Sequence, residues 1–523
     1  MSSSRWKVCT AMLGLCLPLM LMGCSSTAVS PSSTFQANEG LVALRLIDLG
    51  KVPIKRFTVE SEQSGEEYTL QAIRFGQQSS MTYVGRLPAG RYRPKELMGS
   101  NPGVNLVRVP LTQWTGAFDI EAGRVTQLGT MIFTPGLTVG YDTDSRTSRS
   151  LFLLPLDPTP VPVGPLLAAR FPQLAGTASA KAPLGWVAGS TPTLAAVPLD
   201  RVRANVNAVG RPMFTEGNTM ASGGLLGVIA VHRAGKLVMK PAADTVHTIT
   251  AVLALQDGRW LAGGEEGYLA LSTNQGQSWK ALPALPADDL VLHLVQRPDG
   301  RLLAVTDRDS EALVYESADH PIAWKEIKRI PSDRERSFMN TELGESAEFL
   351  PDFAAHSNDR LVVYTRPRTL SSLDLRTGLW ETQTTPAVFH AGMKVTPDGY
   401  VLGFGGLYGS ENYGQSWKKL ESWVTTSEPH FMDRRRGVVL ATELSFSGTP
   451  SKYRLRTTSD GGATWMAGEE INAPFMATIP STRRDKHGRL LRPLWGDPSG
   501  RWWYTTDGSD RLLISTDGGR NWN

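Results

Sequence analysis

An eight-residue pattern, S/T-x-D/N-x-G-x-x-W, returns along the second half of this chain and limits what it can fold into more than any other feature. One copy is carried by Ser272, Asn274, Gly276 and Trp279, another by Ser410, Asn412, Gly414 and Trp417. A third uses Thr458, Asp460, Gly462 and Trp465, and a fourth Ser515, Asp517, Gly519 and Trp522. The residue types share one chemistry. A short Asp or Asn side chain accepts backbone N–H groups of its own turn. Glycine supplies a positive φ that other residues resist. The hydroxyl helps close the same hairpin, and the Trp folds back between neighbouring sheets, burying about 150–250 Å². A degraded copy keeps Ser317, Asp319 and Trp324 but has Pro321 in the glycine position, and a remnant survives as Asp374, Gly378 and Trp380. Each copy follows a second repeated turn, such as Asp257-Gly258-Arg259, Asp299-Gly300-Arg301 or His487-Gly488-Arg489, set between apolar runs.

Six such units, each with two strands, a turn, a third strand, the motif and a fourth strand, predict an all-β ring of blades over residues 223–523. The expectation is a six-bladed propeller, or a seven-bladed one if residues 205–245 add more than closure. Trp522 is followed only by Asn523. Gly224–Arg233 or Lys236–Pro241 is therefore expected to close the ring as the outer strand of the last blade.

The motif resembles the Asp box, or BNR repeat, of sialidase-like β-propellers, and the repeats are also similar to those of the photosystem II assembly factor family. Asp boxes are structural, and members of the second family are non-catalytic. The resemblance thus implies a binding or assembly platform, with an envelope protein or a glycan as partner. Sialidases also need an arginine triad, a Tyr–Glu nucleophile pair, an Asp acid/base and an Arg-Ile-Pro near the first blade. Here Arg329-Ile330-Pro331 follows the second motif copy instead. Related glucan hydrolases use two Asp on a propeller face, for which Asp289, Asp307, Asp309, Asp352 and Asp374 are the candidates. A glycoside hydrolase, sialidase-like or glucan-cleaving, is accordingly the alternative. The eight His show no H-x-H, HExxH or HxxxH pairing, so neither metal nor cofactor is expected.

In a four-stranded meander the first and third turns share one end. Arg434, Arg435 and Arg436, with Arg483 and Arg484, then form a basic patch beside the motifs. The opposite end holds the long connections, above all Lys325–Phe349 with Arg329, Arg334 and Arg336, and the aromatic Tyr408. That end is the candidate ligand surface.

The N-terminus carries a second signal. Arg5 and Lys7 precede the apolar run AMLGLCLPLMLM, which is too short for a membrane span of about 20 residues. Leu21-Met22-Gly23-Cys24 resembles the lipobox of bacterial lipoproteins, which implies a signal peptide over 1–23 and acylation of Cys24. Ser25, rather than Asp, resembles the outer-membrane sorting pattern, with the protein facing the periplasm. Cys9 and Cys16 leave with the leader, so the mature chain has no disulfide and no thiolate metal site. Residues 24–37 read as a lipidated tether. Seven short strands between 38 and 135 read as a β-sandwich, in which Leu87-Pro88-Ala89-Gly90-Arg91-Tyr92 resembles a turn of prealbumin-like domains. Residues 136–222 read as a Pro/Ala-rich connector with short helices at Gly164–Leu174 and Thr193–Val206. A net charge of only +4 gives no reason to expect nucleic acid.

Overall fold

The computed structural model describes residues 27–135, 151–333, 352–471 and 494–522, with shorter breaks inside these spans. The leader, Cys24, Arg334, Arg336, Asp309, Arg483 and Arg484 lie outside the described residues.

The ring has seven blades. Six four-stranded meanders and one three-stranded sheet follow one another in chain order. Blade 1 consists of Met213–Thr215, Thr219–Gly223, Val228–Arg233 and Lys236–Pro241. Blades 2 to 7 begin at Ile249, Leu290, Phe353, Gly392, His430 and Leu494. The seven-bladed alternative therefore holds, and the ring starts at Met213 rather than at residue 223. Blade 1 escapes a motif count because its outer hairpin pairs Arg233 with Lys236 directly, leaving no room for the eight-residue turn. The expected closure is corrected as well. Val228–Arg233 pairs with Thr219–Gly223 on one side and with Lys236–Pro241 on the other, and among the described residues neither pairs with the last blade.

Seven apolar clusters hold the ring, one between each pair of neighbours. Trp279 sits between blades 1 and 2, Trp324 between 2 and 3, and Trp380 between 3 and 4. Trp417, Trp465 and Trp522 fill the next three interfaces. Every motif Trp thus packs toward the preceding blade, and its indole joins blade to blade. Blades 7 and 1 meet through Met220, Phe214, Tyr504, Trp495 and Ile514. His232 Nδ1 lies 3.1 Å from the Tyr504 hydroxyl across that seam.

The sandwich expectation is met in part. One nine-stranded sheet bends into a half-barrel around its own core, in place of two facing sheets. Its central strand, Glu39–Asp48, runs antiparallel to Ser80–Pro88 and parallel to Val125–Pro135. Alternation explains why both of its faces are buried. Val42, Leu44 and Leu46 point into the half-barrel, while Leu41, Ala43, Arg45 and Ile47 point out. Two strands had no clear signal in the sequence. Gly90–Ser100 contains Pro94, which is accommodated at a register shift against Thr58/Val59. Leu151–Pro155 pairs with Val125–Pro135 from within the Pro-rich region. The connector helices are Gly164–Arg170 and Leu199–Arg203.

Candidate functional site

The ring has two chemically different ends. At one end lie the first-to-second and third-to-fourth strand turns, the latter carrying the motif. The motif geometry is the same in its intact copies. Thr458 Oγ1 donates to Asp460 Oδ1 (2.8 Å) and accepts from the Gly462 N–H (2.9 Å), and Asp460 Oδ1 accepts from the Thr464 N–H (2.9 Å). The Thr464 hydroxyl also donates to Asp460 Oδ2 (2.6 Å), and this bond, followed by the others, holds the Asp460 carboxyl down at about 2. Gly276, Gly414, Gly462 and Gly519 have φ between 81 and 90°. The residue before each also has positive φ, including the non-glycine Gln275 (54°) and Tyr413 (53°). An L-residue in that region costs about 1–2 kcal/mol, and glycine gives back part of the gain through unfolded-chain entropy. Gln275→Gly is expected to stabilise the protein by about 0.5 kcal/mol, read from the urea midpoint at unchanged slope.

Turns at this end latch blade to blade. Arg259 Nη2 of blade 2 reaches Asp319 of blade 3 at 2.5 Å, so the degraded motif keeps a structural task. Arg297 Nε donates to the Leu375 carbonyl of blade 4, and the Tyr400 hydroxyl donates to the Gly461 carbonyl of blade 6. Two of the arginines expected in the basic patch have acidic partners. Arg434 pairs with Asp398 (3.0 Å) and Arg436 with Asp433 (2.7 Å), and all three arginines stay exposed. Asp374 belongs to this end too, where it caps its turn by accepting from the Arg376 and Thr377 N–H groups.

The other end carries the second-to-third strand hairpins. On blades 3 and 4 it gathers three of the sequence-predicted acids, Asp289, Asp307 and Asp352, all essentially buried. Asp289 accepts from Arg308 Nε (2.6 Å), the Tyr315 hydroxyl (2.8 Å) and Thr306 Oγ1 (3.0 Å). Burial pushes its carboxyl upward, and Arg308 opposes that shift. Asp352 accepts from Ser332 Oγ (2.9 Å) and the Arg366 N–H (3.4 Å). Arg329 belongs to the outer strand Lys325–Pro331, where it pairs with Glu311 (2.5 Å) and Glu326 (2.9 Å). The long connection therefore starts after this strand rather than at Lys325. Tyr408 is half-buried against Phe389, with ring centroids 6.4 Å apart, and serves the blade 4–5 core. On the inner strands, His293 Nε2 meets His356 Nδ1 at 2.7 Å between blades 3 and 4. Lys394 of blade 5 pairs with Glu428 (2.9 Å) and donates to the Leu494 carbonyl of blade 7 (2.8 Å). No group of three or more metal-type ligands occurs among the described residues.

Sequence reasoning missed the junction where the half-barrel seats on blades 1 and 2. The hairpins Leu225–Gly227 and Glu265–Gly267 share one backbone shape, with Leu226 (φ 56°) and Glu266 (φ 54°) in the left-handed region. Leu226 packs with Ile47, and Glu266 forms a buried ion pair with Arg45. Glu265, also fully buried, accepts from the Thr248 N–H through Oε2 (3.0 Å), while its Oε1 has no partner among the described residues. Burial pushes the Glu265 carboxyl up to about 7. Burial, with the charge of Arg45, holds the His247 imidazole well below its ordinary value. A signal was present in the sequence: Arg45 is the lone charge inside the apolar run GLVALRL.

Neither a protein-family model nor a curated protein matches the chain. Among solved structures it is similar to YCF48 bound to D1 peptide, at 15% identity and TM-score 0.42 over 59% of this chain and 92% of that one. YCF48 from Cyanidioschyzon merolae follows at 14% identity and TM-score 0.40, over 60% and 95% of the two chains. Virginiamycin B lyase from Staphylococcus aureus is similar at 11% identity and TM-score 0.39, over 58% and 93%.

Proposed function

We propose that this is a lipid-anchored cell-envelope protein whose propeller acts as a non-catalytic binding or assembly platform. Its place is the outer membrane, anchored through Cys24 and facing the periplasm. One observation carries the preference for binding over hydrolysis. Two of the three acids gathered at one end of blades 3 and 4 are tied into the fold, Asp289 by three donors and Asp352 by two. A general acid or nucleophile needs a carboxyl that reaches the substrate. The partner class is an envelope protein, with a glycan as the other candidate ligand.

The test is a crosslinked pull-down of the full-length protein from gently solubilised membranes, with protein and glycan both analysed. A stoichiometric envelope protein is the expected result. Retained glycan with no protein, together with turnover of fluorogenic glycosides that is lost in Asp289→Asn, would replace the platform by a hydrolase.

A further inference from the structure

The segment that joins Cys24 to the fold is much shorter than a tether over 24–37. Thr27 already fills the slot beside Ser80–Pro88 left open past the pairing with Glu67–Arg74. Its carbonyl accepts from the Arg86 N–H (3.1 Å), and its hydroxyl donates to the Thr69 carbonyl. The Val29 N–H donates to Gln71 Oε1 (3.0 Å), and the Val29 side chain is 5% exposed. Val29 belongs to the same apolar cluster as Leu41, Val84, the helix residue Leu167 and Leu290 of blade 3. Leu290 opens the first strand of its blade, at the end of the ring opposite the motif turns. Only Ser25 and Ser26 stand between Cys24 and Thr27. Three residues of extended chain span at most about 10 Å.

We propose that the protein rests directly on the bilayer, with the half-barrel and the hairpin end of the propeller facing the membrane and the motif turns facing away. This rests on the reading of Cys24 as the acylated residue. The occupant of the face around Thr27 is the lipid surface itself. Ala28, Ser30 and Ser32 are exposed there, small and uncharged. The covalent reach sets the contact and charge does not, so it does not depend on salt. A partner bound at the hairpin end must then lie at the membrane, whereas one arriving from bulk solution meets the motif end.

The test uses the full-length acylated protein in phosphatidylcholine vesicles carrying an acceptor dye on the headgroups. A donor dye is placed on Ser32→Cys or on Thr516→Cys, which marks a motif turn, and intact mass reports acylation. Energy transfer is expected to be severalfold stronger from position 32 than from 516, and to persist in 1 M salt. A flexible Gly/Ser insert of about 20 residues between Ser25 and Ser26 should lower the position-32 signal. With the acyl mass present, equal transfer from both positions, or a position-32 signal indifferent to the insert, overturns the orientation. Absence of the acyl mass overturns the anchor reading itself, and the orientation falls with it.

Discussion

Arg45→Met is expected to destabilise the protein by about 3–5 kcal/mol, because it leaves the Glu266 carboxylate buried without its cation. Arg45 is 1% exposed, so water cannot take the guanidinium's place. The double variant Arg45→Met/Glu266→Met removes both charges and should recover most of the loss, since a buried pair is worth little against apolar side chains of similar size. Denaturant unfolding of the two single variants and the double variant decides this. A double variant as weak as Arg45→Met would mean that packing, not charge, is what Arg45 supplies.

The same junction gives a pH dependence with a definite sign. The Glu265 carboxyl is raised from 4.5 to about 7, so the folded state binds its proton more tightly than the unfolded state does. Its contribution is complete below about 4.5 and is lost as pH rises through about 7, on the order of 3 kcal/mol in all. His247 works the other way. Its folded value is depressed below 6.5, so its contribution is present above that pH and is lost on acidification. In the wild type the two oppose each other in mildly acidic solution. Glu265→Gln keeps a neutral acceptor for the Thr248 N–H and removes one side of the balance. Its Tm relative to wild type should rise between pH 5 and about 7 and level off above that. A constant offset across that range would show that Glu265 is not the titrating group.

Tyr504→Ala should be the most damaging change at the ring seam, about 3–5 kcal/mol. Tyr504 is 1% exposed, packs on Phe214 with ring centroids 5.5 Å apart, and meets His232 through its hydroxyl. Among the described residues no strand of blade 1 pairs with blade 7, so side-chain packing carries the closure there. Tyr504→Phe keeps the ring and loses only the hydrogen bond, about 1 kcal/mol. Hydrogen exchange in Tyr504→Ala should rise first in blades 1 and 7. Uniform loss of protection around the ring would instead mean that the propeller opens as one unit.

The propeller was legible in the sequence because its motif is local. Ser272, Asn274 and Gly276 satisfy one another within a single turn, so spacing alone fixes their geometry. The motif also determined which turns share an end of the ring, because a meander sends its first and third turns the same way. Blade number needed the tertiary structure. Blade 1 closes its outer hairpin without the motif, and its strands look the same in sequence whether they form a blade or complete one. The half-barrel was legible strand by strand but not as one sheet, since the pairing of Glu39–Asp48 with Val125–Pro135 joins segments far apart in the chain. The acids and cations were visible as candidates, yet only tertiary contacts tied Asp289 to Arg308, Arg434 to Asp398 and Arg45 to Glu266. Local turn chemistry is written in neighbouring residues. The partner of a charge and the burial of a strand's second face depend on which distant surfaces meet, blade against blade for Arg434 and half-barrel against ring for Arg45, and only the tertiary structure decides that.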